Sequence, residues 1–400
     1  MTQRTGNKTF LMLGTLPWRF DLKYLRNLAI GLSRQAKVIY YYPPQEPVNI
    51  FKSHNNRQEL SLLRESFHSY TKPLTVYIPF TIIPFSRFSF VRKVNSLLNT
   101  HLLKFIFTLK SLGKTSYVFV TYPFDTSFIS SFPADKIIYD CMDIPRSGVN
   151  QADDKRVWSN HKQIARAADF IFVNSSSLRS LCVRYNRRTY LVPSGFVYDE
   201  FQKSKANQLP STLTKIKRPF IGFIGLTFVH LDIPLLLKVI PKCRNMSFIF
   251  VGPTYGLTKY SNTSQGDYVK YTTLWKKLLS LPNVHHFGKQ KRKTLGAYIN
   301  AFDVCIIPYD LQQKSALYAN AIKAYEYLYF GKRIVSTPLK PLKGLSPFIS
   351  FTETPAEFSK AIRDFIHAPL STKEKNDRIQ KAKSHDIHHK IEAMLSILST

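Results

Sequence analysis

Short apolar runs alternate with amphipathic stretches of helical spacing from Thr9 to Phe351. Strands buried on both faces read as continuous apolar runs, and parallel neighbours need a crossover segment between them. The alternation therefore predicts an α/β chain built on parallel sheets. In the first half the expected strands are Thr9–Leu13, Lys37–Tyr42, Tyr117–Thr121, Lys136–Tyr139, Phe170–Asn174 and Thr189–Val192. In the second half they are Phe220–Gly225, Met246–Val251, Val284–Phe287, Val304–Pro308, Arg333–Ser336 and Ile349–Phe351. Helical spacing covers Asp21–Ser33, Val91–Leu112, Ser175–Tyr185, Ala319–Phe330 and Thr372–Thr400, with Asp21 as an expected cap and Pro43-Pro44 ending the second strand.

The chain has 400 residues, which at about 100–200 residues per domain suggests two. Residues 1–200 are expected to form the first unit and 219–371 the second. The polar stretch around 201–218, rich in Lys and carrying Pro210, reads as the linker. Residues 372–400 are a charged helical segment expected to pack back towards the first unit.

Net charge is +32, which points to anionic partners and says nothing of fold. An anionic membrane surface attracts such a chain by about 1 kcal/mol per basic residue close to it. Residues 51–114 concentrate this charge among Phe80, Phe85, Phe88, Phe90, Phe105 and Phe107. Within it Val94, Leu97, Leu98, Leu102, Phe105, Ile106 and Leu109 share one helix face, fit either for an interfacial helix or for core packing. The longest apolar stretch, Leu74–Val91, is interrupted by Pro79, Pro84 and Arg87, so the chain is expected to lie on a membrane and not to span it. Cys141, Cys182, Cys243 and Cys305 are far apart and form no CxxC pair, which fits reduced cytosolic thiols. The His pairs are adjacent in sequence and give no metal-ligand spacing; no cofactor or metal is expected.

The most specific stretch is Asn320–Pro338, in which a helix ends at Gly331 and a strand follows at once. Lys323 and Glu326 are three apart and share a helix face. At the C-terminal edge of a parallel sheet such a face points into the ligand crevice. There a carboxylate suits ribose hydroxyls and an ammonium suits a diphosphate; a surface salt bridge is the plain alternative.

This stretch resembles the donor-binding signature of bacterial GT-B glycosyltransferases that make teichuronic acids and exopolysaccharides and, more distantly, the glucuronosyltransferase of xanthan assembly. Ala321 and Arg333 stand where that signature has Pro. Weaker landmarks follow in the family's order: Trp18, Tyr41 to Pro44, Tyr139 to Asp143, Ala168 to Ser175, Val192 to Gly195, Phe223 to Gly225, and Phe302 to Tyr309. The resemblance covers roughly residues 9–340 and implies two Rossmann-like domains facing a cleft, the first (1–200) binding the acceptor and the second (219–371) the nucleotide sugar. It implies Gly225 and Thr227 beside a nucleotide diphosphate, with Lys289 and Tyr309 against the nucleotide. Lys323 would meet the phosphates and Glu326 the ribose. Many retaining relatives carry a second Glu eight residues before the ribose Glu; here that position is Tyr318, which puts a retaining mechanism in doubt. Asp143 matches the base position of the xanthan-type enzyme, with Asp140 beside it closing a strand at the cleft; helix capping is the alternative for both.

The implied activity is transfer of a sugar from a nucleotide-diphosphate sugar, UDP-linked by the resemblance, to a saccharide or lipid-linked saccharide acceptor at the inner face of the cell membrane, without metal. A sugar-nucleotide epimerase of the same fold competes, as does a basic nucleic-acid binder. The first has no need of a basic membrane face. The second would show Arg and aromatics interleaved on one sheet face, which the sequence lacks, so no nucleic-acid partner is expected.

Overall fold

The computed structural model describes residues 7–14, 18, 23–41, 69–71, 73–77, 82–83, 88–145, 151–198, 201, 208–227, 231–254, 265–312, 318 and 322–400. The first sheet contains β1 (Lys8–Leu13), β2 (Lys37–Tyr41), β3 (Ser69–Thr71), β4 (Leu74–Tyr77), β5 (Thr115–Val120), β6 (Lys136–Cys141), β7 (Phe170–Val173) and β8 (Thr189–Leu191). Its order is β3-β4-β2-β1-β5-β6-β7-β8, parallel throughout except for the β3–β4 edge. The second contains β9 (Phe220–Ile224), β10 (Ser247–Val251), β11 (Val284–His286), β12 (Val304–Ile307), β13 (Arg333–Ser336) and β14 (Ile349–Phe351). Its order is β11-β10-β9-β12-β13-β14, all parallel.

Helices on both faces bury these strands, which is why they need no polar alternation. Leu11, Ile39 and Val118 face one core of the first sheet while Phe10, Val38 and Tyr117 face the other. The second sheet divides in the same way, Ile249 and Cys305 against Phe248 and Val304. The described helices are α1 (Lys23–Ser33), α2 (Ser89–Ser111), α3 (Thr126–Ser130), α4 (Gln151–Ala167), α5 (Ser176–Cys182) and α6 (Ile233–Val239). They continue with α7 (Gln265–Leu279), α8 (Arg292–Ala301), α9 (Ile322–Tyr329), α10 (Pro355–His367), α11 (Thr372–Lys383) and α12 (Ile387–Ile397). All four cysteines are free and buried.

Every expected strand is present, with ends displaced by up to two residues. Two more, β3 and β4, lie where the sequence offered only an irregular apolar stretch. The expectations for Asp21, Tyr42, Pro43, Pro44 and residues 319–321 lie outside the described residues, as does most of 51–87. The stretch 201–218 is not wholly a solvated linker, since Phe201 and Leu213 are buried in a core. The helical segment expected over Thr372–Thr400 forms two helices, because Asp386 turns its carboxylate onto the His388 amide and caps α12.

The expected common face of α2 needs correction. The line buried along α2 is Asn95, Asn99, Leu103 and Phe107. Leu102 and Ile106 pack beside it, whereas Leu97, Leu98, Phe105 and Leu109 are exposed. Two asparagines win the inner face because they satisfy backbone groups. Asn95 accepts from the Ile82 and Ile83 amides at 2.8 and 2.7 Å and donates to the Ile83 carbonyl at 2.9 Å.

The C-terminal helix α12 packs on α1, where Ile391 fills the space beside Gly31. Lys390 of α12 forms a fully buried ion pair with Asp140 at the end of β6, 3.1 Å apart, and Tyr24 donates to the other oxygen of Asp140 at 2.6 Å. Burial, and then the Asp140 charge, hold the Tyr24 phenol well above its ordinary pKa, so it stays a donor. The expectation that Asp140 faces the cleft is therefore overturned; its carboxylate is sealed in by its partners. Lys390→Met leaves that charge unpaired, and about 3–5 kcal/mol of stability should be lost. Lys390→Met combined with Asp140→Asn should recover much of it. Equal urea midpoints for wild type and the single variant would refute this.

Candidate functional site

The strand order of the second sheet, read in chain order, is 3-2-1-4-5-6. Its direction reverses between β9 and β12, and the crevice beyond the C-terminal ends of such strands is where open α/β sheets bind ligands. Gly225 follows β9 there with φ +146°, and its amide donates to the Val251 carbonyl at 2.9 Å. Gly252, with φ +149°, follows β10 so closely that a Cβ on it would lie 1.8 Å from the Gly225 oxygen. The Gly252 amide in turn donates to the Gly288 carbonyl beyond β11, at 2.9 Å. Three neighbouring strands thus end in glycine turns hydrogen-bonded side by side. His286 braces them, with Nε2 2.8 Å from the Gly252 carbonyl. Thr227 is buried, its amide and hydroxyl both directed to the Pro253 carbonyl at 3.3 Å. It holds the turn and presents no exposed hydroxyl.

Helix α9 enters this crevice by its first turn. The Lys323 ammonium lies 4.7 Å from the Phe223 ring centre and 4.6 Å from that of Tyr309, and it donates to the Tyr309 hydroxyl. It stands 2.9 Å from where a Gly225 Cβ would be. Glycine is needed there for φ and for this approach. Tyr309, expected to pack on a nucleotide, holds Lys323 in place with its ring and hydroxyl. Lys323 and Glu326 share a helix but not a bond. Glu326 is nearly buried and pairs with Arg292 at 3.1 Å. Between them Tyr325 stacks on His385, ring centres 4.3 Å apart, and Tyr327 accepts from the Ile224 amide at 2.8 Å. Lys289 is exposed on the turn before α8.

Across the cleft, Asp143 follows β6 and is exposed, its Oδ1 accepting from the Ile144 amide at 2.7 Å. Tyr318 leans from the second unit onto the first, where it packs beside α5 and its carbonyl accepts from the Ser175 hydroxyl at 3.2 Å. The structure brings Gly225, Tyr309 and Lys323 together, with Thr227 buried two residues past Gly225 and Glu326 one helical turn on from Lys323; Lys289 lies on the turn after Gly288 and Asp143 on the other unit. Among the described residues no group of three or more His, Cys, Asp or Glu side chains converges as a metal site.

Gly252, His286 and Arg292 were missed from sequence. Gly252 had a signal: Gly-Pro-Thr after β10 repeats the Gly-Leu-Thr after β9. Arg292 had none, because its partner lies 34 residues away. Gly252→Ala should cost about 1–3 kcal/mol from φ alone, with more from the backbone clash. Gly225→Ala meets only the end of the flexible Lys323 side chain and should unfold at higher urea than Gly252→Ala; the reverse order would reject this account of the turns.

No family model matches the chain. It is 27% identical over 241 residues to TuaH of Bacillus subtilis (strain 168), named as a candidate teichuronic acid biosynthesis glycosyltransferase. The aligned part is 57% of this chain and 56% of the relative, so the chain spans little more than half the length of that protein. Among solved structures, sucrose-phosphate synthase from Thermosynechococcus elongatus superposes with a TM-score of 0.69 at 14% identity, over 98% of each chain. The Anabaena protein HepE, solved with UDP and glucose, gives 0.62 at 13% identity over 99% of this chain and 100% of its own. Such identities speak to fold alone. Whole-length superposition, two sheets of Rossmann order and a crevice at the switch point of the second together place this chain in the GT-B fold, two α/β units facing a cleft.

Proposed function

We propose that this chain is a glycosyltransferase that takes a sugar from a nucleotide-diphosphate sugar, UDP-linked, and passes it to a saccharide or lipid-linked saccharide in cell-surface or exopolysaccharide synthesis. The observation that carries this is the glycine-turn crevice, with a lysine ammonium held between two aromatic rings at its mouth. Backbone turns of this kind admit phosphate oxygens close to amides, and a fixed cation neutralises the charge of a leaving diphosphate. The similarity to TuaH and to a structure solved with UDP and glucose supports the same donor class.

In the proposed reaction the acceptor hydroxyl oxygen bonds to the anomeric carbon as the bond from that carbon to the diphosphate breaks. Asp143 takes the hydroxyl proton, the electron pair leaves with the nucleoside diphosphate, and Lys323 and Lys289 stabilise its charge without a metal. Tyr318 in place of a second acidic residue favours inversion with Asp143 as base. Lys323→Met should weaken UDP binding in calorimetry. Asp143→Asn should leave UDP binding near wild type and lower turnover by about 10²–10⁴-fold. Unchanged turnover in a folded Asp143→Asn protein would remove the base assignment.

The acceptor reading draws on α2, whose N-terminal half turns asparagines inward and apolar side chains outward. It buries Asn95 and Asn99 and exposes Phe90 (73%), Phe105 (60%) and, just past its end, Leu112 (67%). Lys93 is exposed on the same helix, and Lys104 is partly so. Exposed apolar patches of this kind mark interaction surfaces, and basic residues beside aromatics suit an anionic bilayer. No described helix is long and apolar enough to cross a membrane. Phe90→Ser with Phe105→Ser should cut co-sedimentation with phosphatidylglycerol vesicles. In wild type, high salt should release only part of the bound protein, because the apolar contribution is unscreened. Equal sedimentation of wild type and variant would show that α2 is not the membrane face.

A further inference from the structure

The ion pair between Arg292 and Glu326 sits badly with ordinary helix physics. Arg292 is the first residue of α8, where a cation opposes the helix dipole, and the first turn holds no acidic residue to offset it. Lys289, Lys291 and Lys293 crowd the same end. Glu326 lies nearly buried on a helix whose neighbours are Tyr325, Tyr327 and Tyr329. Charges withdrawn from water in this way seldom add net stability over apolar side chains of similar size. The guanidinium is nevertheless held from two directions. Its Nη2 reaches Glu326 Oε1 at 3.1 Å, its Cζ lies 4.9 Å from the Phe201 ring centre, and its side chain remains about one-third exposed at the crevice. Glu326 Oε2 accepts from no donor among the described residues. One carboxylate oxygen is thus fixed and the other open, one helical turn from Lys323.

We propose that Arg292 is a positioning residue of the nucleotide pocket: by holding Oε1 it presents the other oxygen of the Glu326 carboxylate to the ribose hydroxyls, and so sets selectivity for ribonucleotides over deoxyribonucleotides. Phe201, from the segment joining the two units, backs the guanidinium and fixes its plane. This inference rests on the donor reading above. A planar donor fits the task better than an ammonium, since a guanidinium holds a carboxylate in a defined orientation.

The test measures UDP, 2′-deoxy-UDP and inorganic pyrophosphate as ligands of the full chain by calorimetry. Wild type should prefer UDP to 2′-deoxy-UDP by about tenfold or more, the worth of one charge-assisted hydrogen bond. Arg292→Met keeps an apolar stem over Phe201 and should bring that ratio close to one by weakening UDP, with pyrophosphate binding unchanged. Arg292→Lys should restore part of the ratio. A ratio in Arg292→Met equal to that of wild type would overturn the proposal. So would an equal loss for all three ligands, which is the mark of a structural role, or a wild type indifferent to the 2′-hydroxyl. A wild type that binds neither UDP nor pyrophosphate would instead overturn the donor reading itself.

Discussion

Parallel strand pairing is the constraint on which everything else in this molecule depends. A parallel ladder forces each chain segment to cross back before the next strand, so all strand C-termini of a sheet emerge on one edge. In the second sheet that edge collects the turns at Gly225, Gly252 and Gly288, which are hydrogen-bonded to one another because the strands that precede them are. It also receives the first turn of α9. The crevice is thus a product of topology, and side chains only furnish it. Lys323, Tyr309 and Phe223 come from three different elements and meet because β9 and β12 are neighbours.

The two units place opposite demands on polarity. At the crevice a lysine is kept from a carboxylate on its own helix face and given aromatic rings and a phenol instead. In the first unit a lysine is given a carboxylate and a complete seal from water. The first arrangement leaves the ammonium without a carboxylate partner among the described residues, whereas the second uses the charge to hold a terminal helix in place. Burial and not residue type separates the two roles, which explains why Asp140 and Asp143, only three positions apart, have such different surroundings.

Much of this was legible in the chain itself. Apolar runs such as Phe-Ile-Gly-Phe-Ile announce doubly buried strands, and the spacing of Lys323, Glu326 and Gly331 announces a helix ending at a strand. What could not be read is whatever depends on contacts between distant segments. The Arg292 partnership, the capture of Asp140 by Lys390 and the Ser175 contact with Tyr318 all join residues with no local pattern in common. The face of α2 was misread for a different reason. Periodicity counts apolar residues, but Asn95 and Asn99 earn the interior by satisfying the amides and carbonyls of a neighbouring irregular segment and a tyrosine hydroxyl, which an apolar side chain could not do.

The chain leaves the first unit and comes back to it at a single place. The Phe196 amide donates to the His385 carbonyl at 3.1 Å and the Ile387 amide to the Phe196 carbonyl at 3.0 Å. Gly195 lies so close to the returning strand that a Cβ would sit 2.2 Å from the Ile387 Cα. Entry and exit are therefore adjacent, and everything between them is, in topological terms, an insertion into one loop of the first unit. Adjacent termini are what make a domain transplantable. The second unit is in this sense a cassette, whose removal would leave two chain ends already side by side and the first sheet, with its C-terminal helix, able to close over the gap.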